Sequence, residues 1–267
     1  MRTGRFFWGF VVIIIGVLLL LEPIGILPQG TSAWKFIWPS LVILLGVWFL
    51  IVPMLYRGKK LETETLSIPL EEASKAKIRL KHGAGQLVVN MLDDPQLVLS
   101  GKFGGGIDQS IHRDEDAVKI KLRTPTQMYS FPYGASMSGL NWEVNISKHI
   151  PVRLDVDSGA SETRLNLTEL KISELNINTG ASSTEVKLPA SAGFTRVRIE
   201  SGAASVVLRV PEGVAARIGV ESGLAGITVD RSRFPKVNGA YESPDYDQAP
   251  NKLDIFVKTG VGSLEVH

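Results

Sequence analysis

Four histidines, His82, His112, His149 and His267, are the side chains best suited to hold a transition metal or to move protons near neutral pH. None falls in an H-x-x-x-H or H-E-x-x-H frame, so a zinc site has no local support. A phosphate cradle needs a glycine-rich loop, a following Lys-Ser/Thr and a helix whose N-terminus meets the anion. The stretch Phe103 to Asp108, FGGGID, supplies only the glycines and reads as a turn. Asp93-Asp94 and Asp114-Glu115-Asp116 offer oxygen ligands, but not at the alternating positions with a turn glycine that calcium loops use. They read as solvated turns. Ser158, Ser201 and Ser222 stand beside glycines, yet a serine elbow requires a strand–Ser–helix geometry and a histidine partner. No helical pattern follows any of them. The chain has no cysteine, which excludes disulfides and thiolate metal sites. These patterns predict a protein that is not an enzyme and takes no cofactor.

The stronger signal lies in placement. Six glycines, Gly83, Gly159, Gly180, Gly202, Gly223 and Gly260, share one frame. Five residues before each stands Ile78, Leu154, Leu175, Val197, Ile218 or Ile255, and six residues after stands Val89, Leu165, Val186, Leu208, Val229 or Val266. The position two beyond is always small: Gly85, Ser161, Ser182, Ala204, Ala225 or Gly262. Four of the glycines follow one another at 21, 22 and 21 residues. Strand, tight corner and returning strand at that period describe an all-β, single-stranded β-solenoid. Alternating apolar residues point into each coil, while Arg153, Asp155, Asn176, Asn178, Arg196 and Arg198 point out. A glycine at the corner permits positive φ or close approach of backbones, which a β-carbon would penalise. The six are read as structural corner glycines, and the small residue two beyond as room for stacking coils.

Two stretches break the alternation. Residues 6–21 and 36–56 carry no charge. The second spans about 31 Å as a helix at about 1.5 Å per residue, enough to cross a bilayer core, and the first reaches that length by extending past Glu22. They predict transmembrane helices at about 6–26 and 36–56, joined as an antiparallel hairpin. Trp8 to Gly16 and Trp38 to Gly46 repeat one frame: the tryptophans suit the membrane–water interface, and the glycines suit close helix packing. Arg2 and Arg5 precede the first span, Lys35 alone lies in the loop, and Arg57, Lys59 and Lys60 follow the second. Lysine and arginine concentrate on the cytoplasmic side, so both termini and the following domain are placed there, in a multi-pass protein of the cell membrane. The expected division is a membrane module, 1–60, and a β-solenoid domain, 61–267.

Six of the 29 Lys/Arg and one of the 27 Asp/Glu fall in residues 1–60, which leaves 23 basic against 26 acidic residues beyond. A nucleic-acid partner needs a clustered positive footprint, so none is expected. Two stretches interrupt the repeat, 124–141 and 231–251. The first holds Met128, Tyr129, Phe131 and Tyr133, which form either a partner-binding loop or a cap over the core; both readings stand. The last repeat runs to His267 as a strand-like segment with no capping helix. That predicts an uncovered solenoid end, and with it a homo-oligomer.

The paired helices with the frame from Trp8 to Gly16 and Trp38 to Gly46 resemble the N-terminal module of LiaF-like envelope-stress proteins. Ser158-Gly159-Ala160, Thr179-Gly180-Ala181 and Ser201-Gly202-Ala203 resemble the toastrack, or adhesin-like, β-solenoid joined to that module. The resemblance covers most of the chain. It implies a toastrack-like β-helix behind a two-helix transmembrane hairpin. It also implies a non-enzymatic accessory protein that meets other membrane or signalling proteins, such as a sensor histidine kinase, in cell-envelope stress signalling. LiaF-like proteins usually carry more than two spans, and this chain shows two. Two alternatives stand beside it. One is a scaffold polymerising by end-to-end solenoid stacking, as bactofilins do, and the other is an extracellular adhesin-like domain.

Overall fold

The computed structural model describes residues 63–125 and 140–267, together with the helical residues Pro39, Val42, Ile43, Gly46 and Val47. Trp8, Gly16, Trp38, the extents of both apolar runs, and Met128, Tyr129, Phe131 and Tyr133 lie outside the described residues. Among the described residues no helix is long and apolar enough to cross a membrane. The described strands number thirteen: β1 (Thr63–Pro69), β2 (Lys75–Leu92), β3 (Leu97–Gly104), β4 (Asp108–Arg113), β5 (Ala117–Arg123), β6 (Asn141–Ser147), β7 (Val152–Asn166), β8 (Ile172–Lys187), β9 (Phe194–Arg209), β10 (Ala215–Val229), β11 (Lys236–Val237), β12 (Ala240–Glu242) and β13 (Lys252–Val266). All belong to the larger of two compact units of the chain, and they form one all-β body.

Six long strands, each carrying one of the six glycines, stack in parallel in the order β2-β7-β8-β9-β13-β10. Their registers align the apolar columns that the repeat predicts. Ile78 lies beside Leu154, then Leu175, Val197, Ile255 and Ile218, all at most 1% exposed. Continuous burial of such columns is what holds a repeat whose single coil has no core of its own. Each long strand bends at its glycine into two arms, and the pairing skips that residue: Ser158 pairs with Thr179 and Ala160 with Ala181, but Gly159 has no partner opposite.

The reason for glycine at the corner is closeness. None of the six corner glycines has a positive φ. A β-carbon on Gly159 would lie 2.3 Å from the carbonyl oxygen of Gly83, and one on Gly260 would lie 2.6 Å from that of Gly202. At Gly180 and Gly202 the corresponding distance is 3.1 Å. The corners therefore nest backbone on backbone. Positive φ occurs instead two residues on, at Gly85 (103°) and Gly262 (132°), where the other coils carry serine or alanine.

The end of the stack differs from expectation. The last strand in sequence, β13, is not an edge: it lies between β9 and β10 and pairs with both along its length. Residues 231–251, which separate β10 from β13, explain the insertion. Within them Asn238 and Gly239, both at positive φ, form the two-residue turn of the β11–β12 hairpin, with Val237 opposite Ala240. This hairpin lays Tyr241 and Glu242 against Ile218 and Arg217, so it occupies the place a further coil would take over the first arm of β10. Arg217 fixes it, with Nε 2.5 Å from Glu242 and its guanidinium 4.2 Å above the Tyr246 ring. Phe234, fully buried, closes the core beneath.

At the opposite end both arms of β2 are covered. Its first arm pairs with β5, which carries β4 on its other side. Its second arm pairs with β6, then β3 and β1. The strand β4 was not visible in the alternation, because DQSIHR is exposed on both faces and held by its pairing with β5. Trp142 on β6 anchors this end, fully buried, with Phe103 edge-on at 5.1 Å and His82 at 5.2 Å.

Candidate recognition groove

In every coil the corner glycine and the two residues before it line a single groove of about 950 Å³ running along the stack. Because the registers hold, each position becomes a column. Directly before the glycines stand His82, Ser158, Thr179, Ser201, Thr259 and Ser222, taken from β2 to β10. One residue earlier stand Lys81, Asp157, Asn178, Glu200, Lys258 and Glu221. At about 4.8 Å between strands, six rungs give a groove about 24 Å long.

The inner column is tied together by its own hydroxyls. Ser158 Oγ donates to Thr179 Oγ1 at 3.0 Å, and Ser201 Oγ donates to Thr259 Oγ1 at 2.9 Å. The outer column pairs by charge and amide. Lys81 Nζ is 3.5 Å from the Asp157 carboxylate, Asn178 Nδ2 donates to Asp157 at 3.1 Å, and Lys258 Nζ is 3.1 Å from Glu221. Exposed pairs of this kind are worth about 0–1 kcal/mol each, so an incoming polar group exchanges with them at little cost. Glu200, exposed, has no ion pair among the described residues. A second ladder flanks the groove, in which Asp155 accepts from Asn176 at 2.8 Å and from Arg79 at 3.2 Å. Burial opposes ionisation of Asp155, but these donors, with Arg153 nearby, hold its carboxyl below the usual aspartate range.

His82 closes the groove at the β2 end. It is 1% exposed, and its Nε2 lies 3.0 Å from the Leu140 carbonyl oxygen, which can only accept, so Nε2 carries the proton. Its Nδ1 has no partner among the described residues. Burial, only partly offset by that hydrogen bond, lowers the imidazole pKa from its ordinary 6.5. The other histidines are apart from it and from one another. His112 lies 3.1 Å from Asp114, His149 3.8 Å from Asp93 and His267 3.5 Å from Glu265. Among the described residues no three His, Asp or Glu side chains converge as a metal site would require.

The hydroxyl and charged columns are suited to recognition. Acyl transfer needs a nucleophile hydrogen-bonded to a base. Here the protons of Ser158 and Ser201 go to threonine hydroxyls. A polar residue from each column on every rung matches an extended chain crossing the strands, about seven residues at about 3.3 Å each. The glycine frame placed all six corners in one column. The Ser/Thr-Gly-Ala repeats marked the position beside them as repeated, but not that its side chains line one groove. Gly46 is helical, and the remaining membrane and aromatic-loop positions lie outside the described residues.

A family model described as the N-terminal domain of toast_rack, DUF2154, matches residues 57–209. No curated protein matches the chain. The crystal structure of a "putative cell adhesion protein" from Clostridium sporogenes ATCC 15579 superposes with a TM-score of 0.70 at 19% identity, covering 78% of this chain and 99% of its own. A second structure, described as a "putative adhesin" from Bacteroides fragilis, reaches a TM-score of 0.34 at 11% identity over 79% of this chain and 98% of its own. The first likeness establishes a shared fold.

Proposed function

From the premise that the chain belongs to the toast_rack N-terminal domain family, we propose that it is a non-enzymatic, membrane-anchored β-solenoid protein whose corner groove binds an extended segment of a partner protein. The observation that carries this reading is the groove itself: two columns across six strands, five of the six inner residues carrying hydroxyls and five of the six outer ones a charge, tied by exchangeable pairs. The two uncharged runs at 6–21 and 36–56 support the anchor, and the Lys/Arg pattern supports a cytoplasmic placement of the groove. In that setting the resemblance to LiaF-like proteins makes a sensor histidine kinase the partner, and restraint of envelope-stress signalling the role.

A photo-crosslinking residue at Asn178, in the groove, tests it against the same residue at Lys187, exposed beyond it. In intact membranes Asn178 captures a discrete partner carrying a kinase domain and Lys187 does not. Equal capture from both positions removes the groove from the account. Capture from Asn178 of proteins without any signalling domain keeps the groove and removes the stress-signalling role. Proteolysis of the domain in unbroken spheroplasts would reverse the topology and favour the adhesin-like alternative.

A further inference from the structure

Acidic residues outnumber basic ones beyond residue 60, yet one face of the domain is crowded with cations. On the outer side of β2 and β5 the register sets Lys77 opposite Lys119, Arg79 opposite Lys121 and Lys81 opposite Arg123. Alternation with the buried Ile78, Leu80, Ile120 and Leu122 turns all six to the same side. Arg153 on β7 extends the first row beside Lys77. Like charges directly opposite one another destabilise a sheet, and here three such pairs follow in succession. Carboxylates reach this grid from its margins. Asp155 and Asp157 of β7 pair with Arg79 and Lys81, while Asp108 and Asp114, at either end of β4, pair with Arg123 and Lys119. Lys77 and Lys121, diagonal neighbours on the grid, have no ion pair among the described residues.

We propose that this face docks on the phosphate-bearing headgroups of an anionic bilayer, the one that holds the two uncharged runs. The inference rests on the anchor in the proposed function and is independent of what fills the groove. Charge complementarity and the length of the tether select the bilayer. Residues 57–62 alone separate the second uncharged run from Thr63, at most about 25 Å of extended chain. That tether adds Arg57, Lys59 and Lys60 to the same charge. Its point of entry lies beside the grid. Ile107 N donates to the Glu64 carboxylate at 3.2 Å, and the next residue, Asp108, holds Arg123 at 3.2 Å. Each lysine or arginine near an anionic surface strengthens binding about fivefold, so a grid of six is a substantial contact. A layer of anions over the grid also removes the repulsion within the three like-charged pairs.

The absence of cysteine makes the test direct. A fluorophore on Ser110→Cys, exposed on β4 opposite Lys121, reports on the face. One on Thr228→Cys, exposed on the second arm of β10, is the reference. The full chain is reconstituted into vesicles in which some headgroups carry a nitroxide quencher. With equal parts phosphatidylglycerol and phosphatidylcholine, the label at position 110 is expected to be strongly quenched and the reference weakly. The difference vanishes in pure phosphatidylcholine, and at about 1 M salt, where charges are screened beyond about 3 Å. Lys77→Glu with Lys121→Glu weakens docking by at least about 25-fold, from the two lost cations alone, whereas Lys77→Arg with Lys121→Arg retains it. The new carboxylates would face Lys119, Arg153 and Arg79, so the melting temperature of the glutamate variant should not fall, which separates lost docking from a lost fold. Quenching indifferent to lipid charge, equal quenching at both labels, full quenching in the glutamate variant, or retention by a DNA duplex in place of the charged vesicle would each overturn the proposal. Alkaline carbonate extraction reads the anchor separately: release of the chain overturns the anchor and leaves the quenching to judge the face.

Discussion

The two ends of the stack solve one problem differently. At the β2 end the covering strands diverge at the corner, one pairing with each arm, so that both arms gain a backbone partner. At the β10 end a short hairpin and Phe234 cover the first arm and the core, and the second arm keeps a bare ladder. Burying the last apolar layer and satisfying the last row of amides are thus separate tasks. A protein can finish the first and leave the second open.

That contrast can be broken in graded steps. If both ends are equally finished as cores, Trp142→Ala and Phe234→Ala should each lower unfolding free energy by about 3–5 kcal/mol, measured by denaturant titration. A loss at Phe234 of less than half that at Trp142 would mean the β10 end is loosely capped in its core as well as its backbone.

Glycines sharpen the same comparison within and beyond the closed part. Gly262 lies inside the stack at φ 132°, and a β-carbon there would sit 1.9 Å from the Ala204 carbonyl oxygen. Gly262→Ala is expected to cost about 2–3 kcal/mol, more if the neighbouring strand cannot shift. A midpoint within error of wild type would contradict the close packing of β13 on β9.

The β2 end should also respond to pH where the β10 end does not. His82 is held neutral by burial, so its folded pKa lies below the unfolded 6.5. The unfolded chain then binds more protons as pH falls through that region, and the contribution of neutral His82 to stability, complete above about 6.5, is lost below it. The wild-type melting temperature should fall between about pH 7 and 5.5, and His82→Gln should flatten the decline. An unchanged slope in the variant would assign the pH response elsewhere.

The smallest effect belongs to the open arm. Gly226→Ala meets nothing within 4 Å and should change stability by no more than about 0.5 kcal/mol. A larger loss would show that something already lies against this edge.

Much of the architecture was legible because it is written as local periodicity. The alternation found β2, β7, β8, β9, β10 and β13, and the glycine frame found their common register. Strand order was not legible for a physical reason. Equivalent columns make β13 as good a neighbour for β9 as β10 is, so the choice rests on the intervening hairpin, whose Asn238-Gly239 turn sat inside a stretch that had no periodicity. β4 escaped because its residues carry no face preference. The glycines were legible as constraints but not by cause: a sequence does not distinguish Gly159, excluded from a side chain by a neighbouring carbonyl, from Gly262, excluded also by its own φ. The groove was missed because its serines were weighed singly as nucleophiles, when their chemistry lies in the column.

The position of β13 also sets an order of events during synthesis. β10 leaves the ribosome before β13, but in the finished sheet it touches β9 only through β13. The strands through β9 can assemble as they emerge, each on its predecessor. β10 and its hairpin must then wait without a docking surface until residues 252–266 arrive and slot between them, a closure across 58 residues from β9. Until that moment the nascent chain presents two sticky ladders instead of one. Interruption of translation after residue 251 would leave the outer edge of β9 and the β13-facing edge of β10 both open, each a template for an erroneous β9–β10 contact or for pairing with a neighbouring polypeptide.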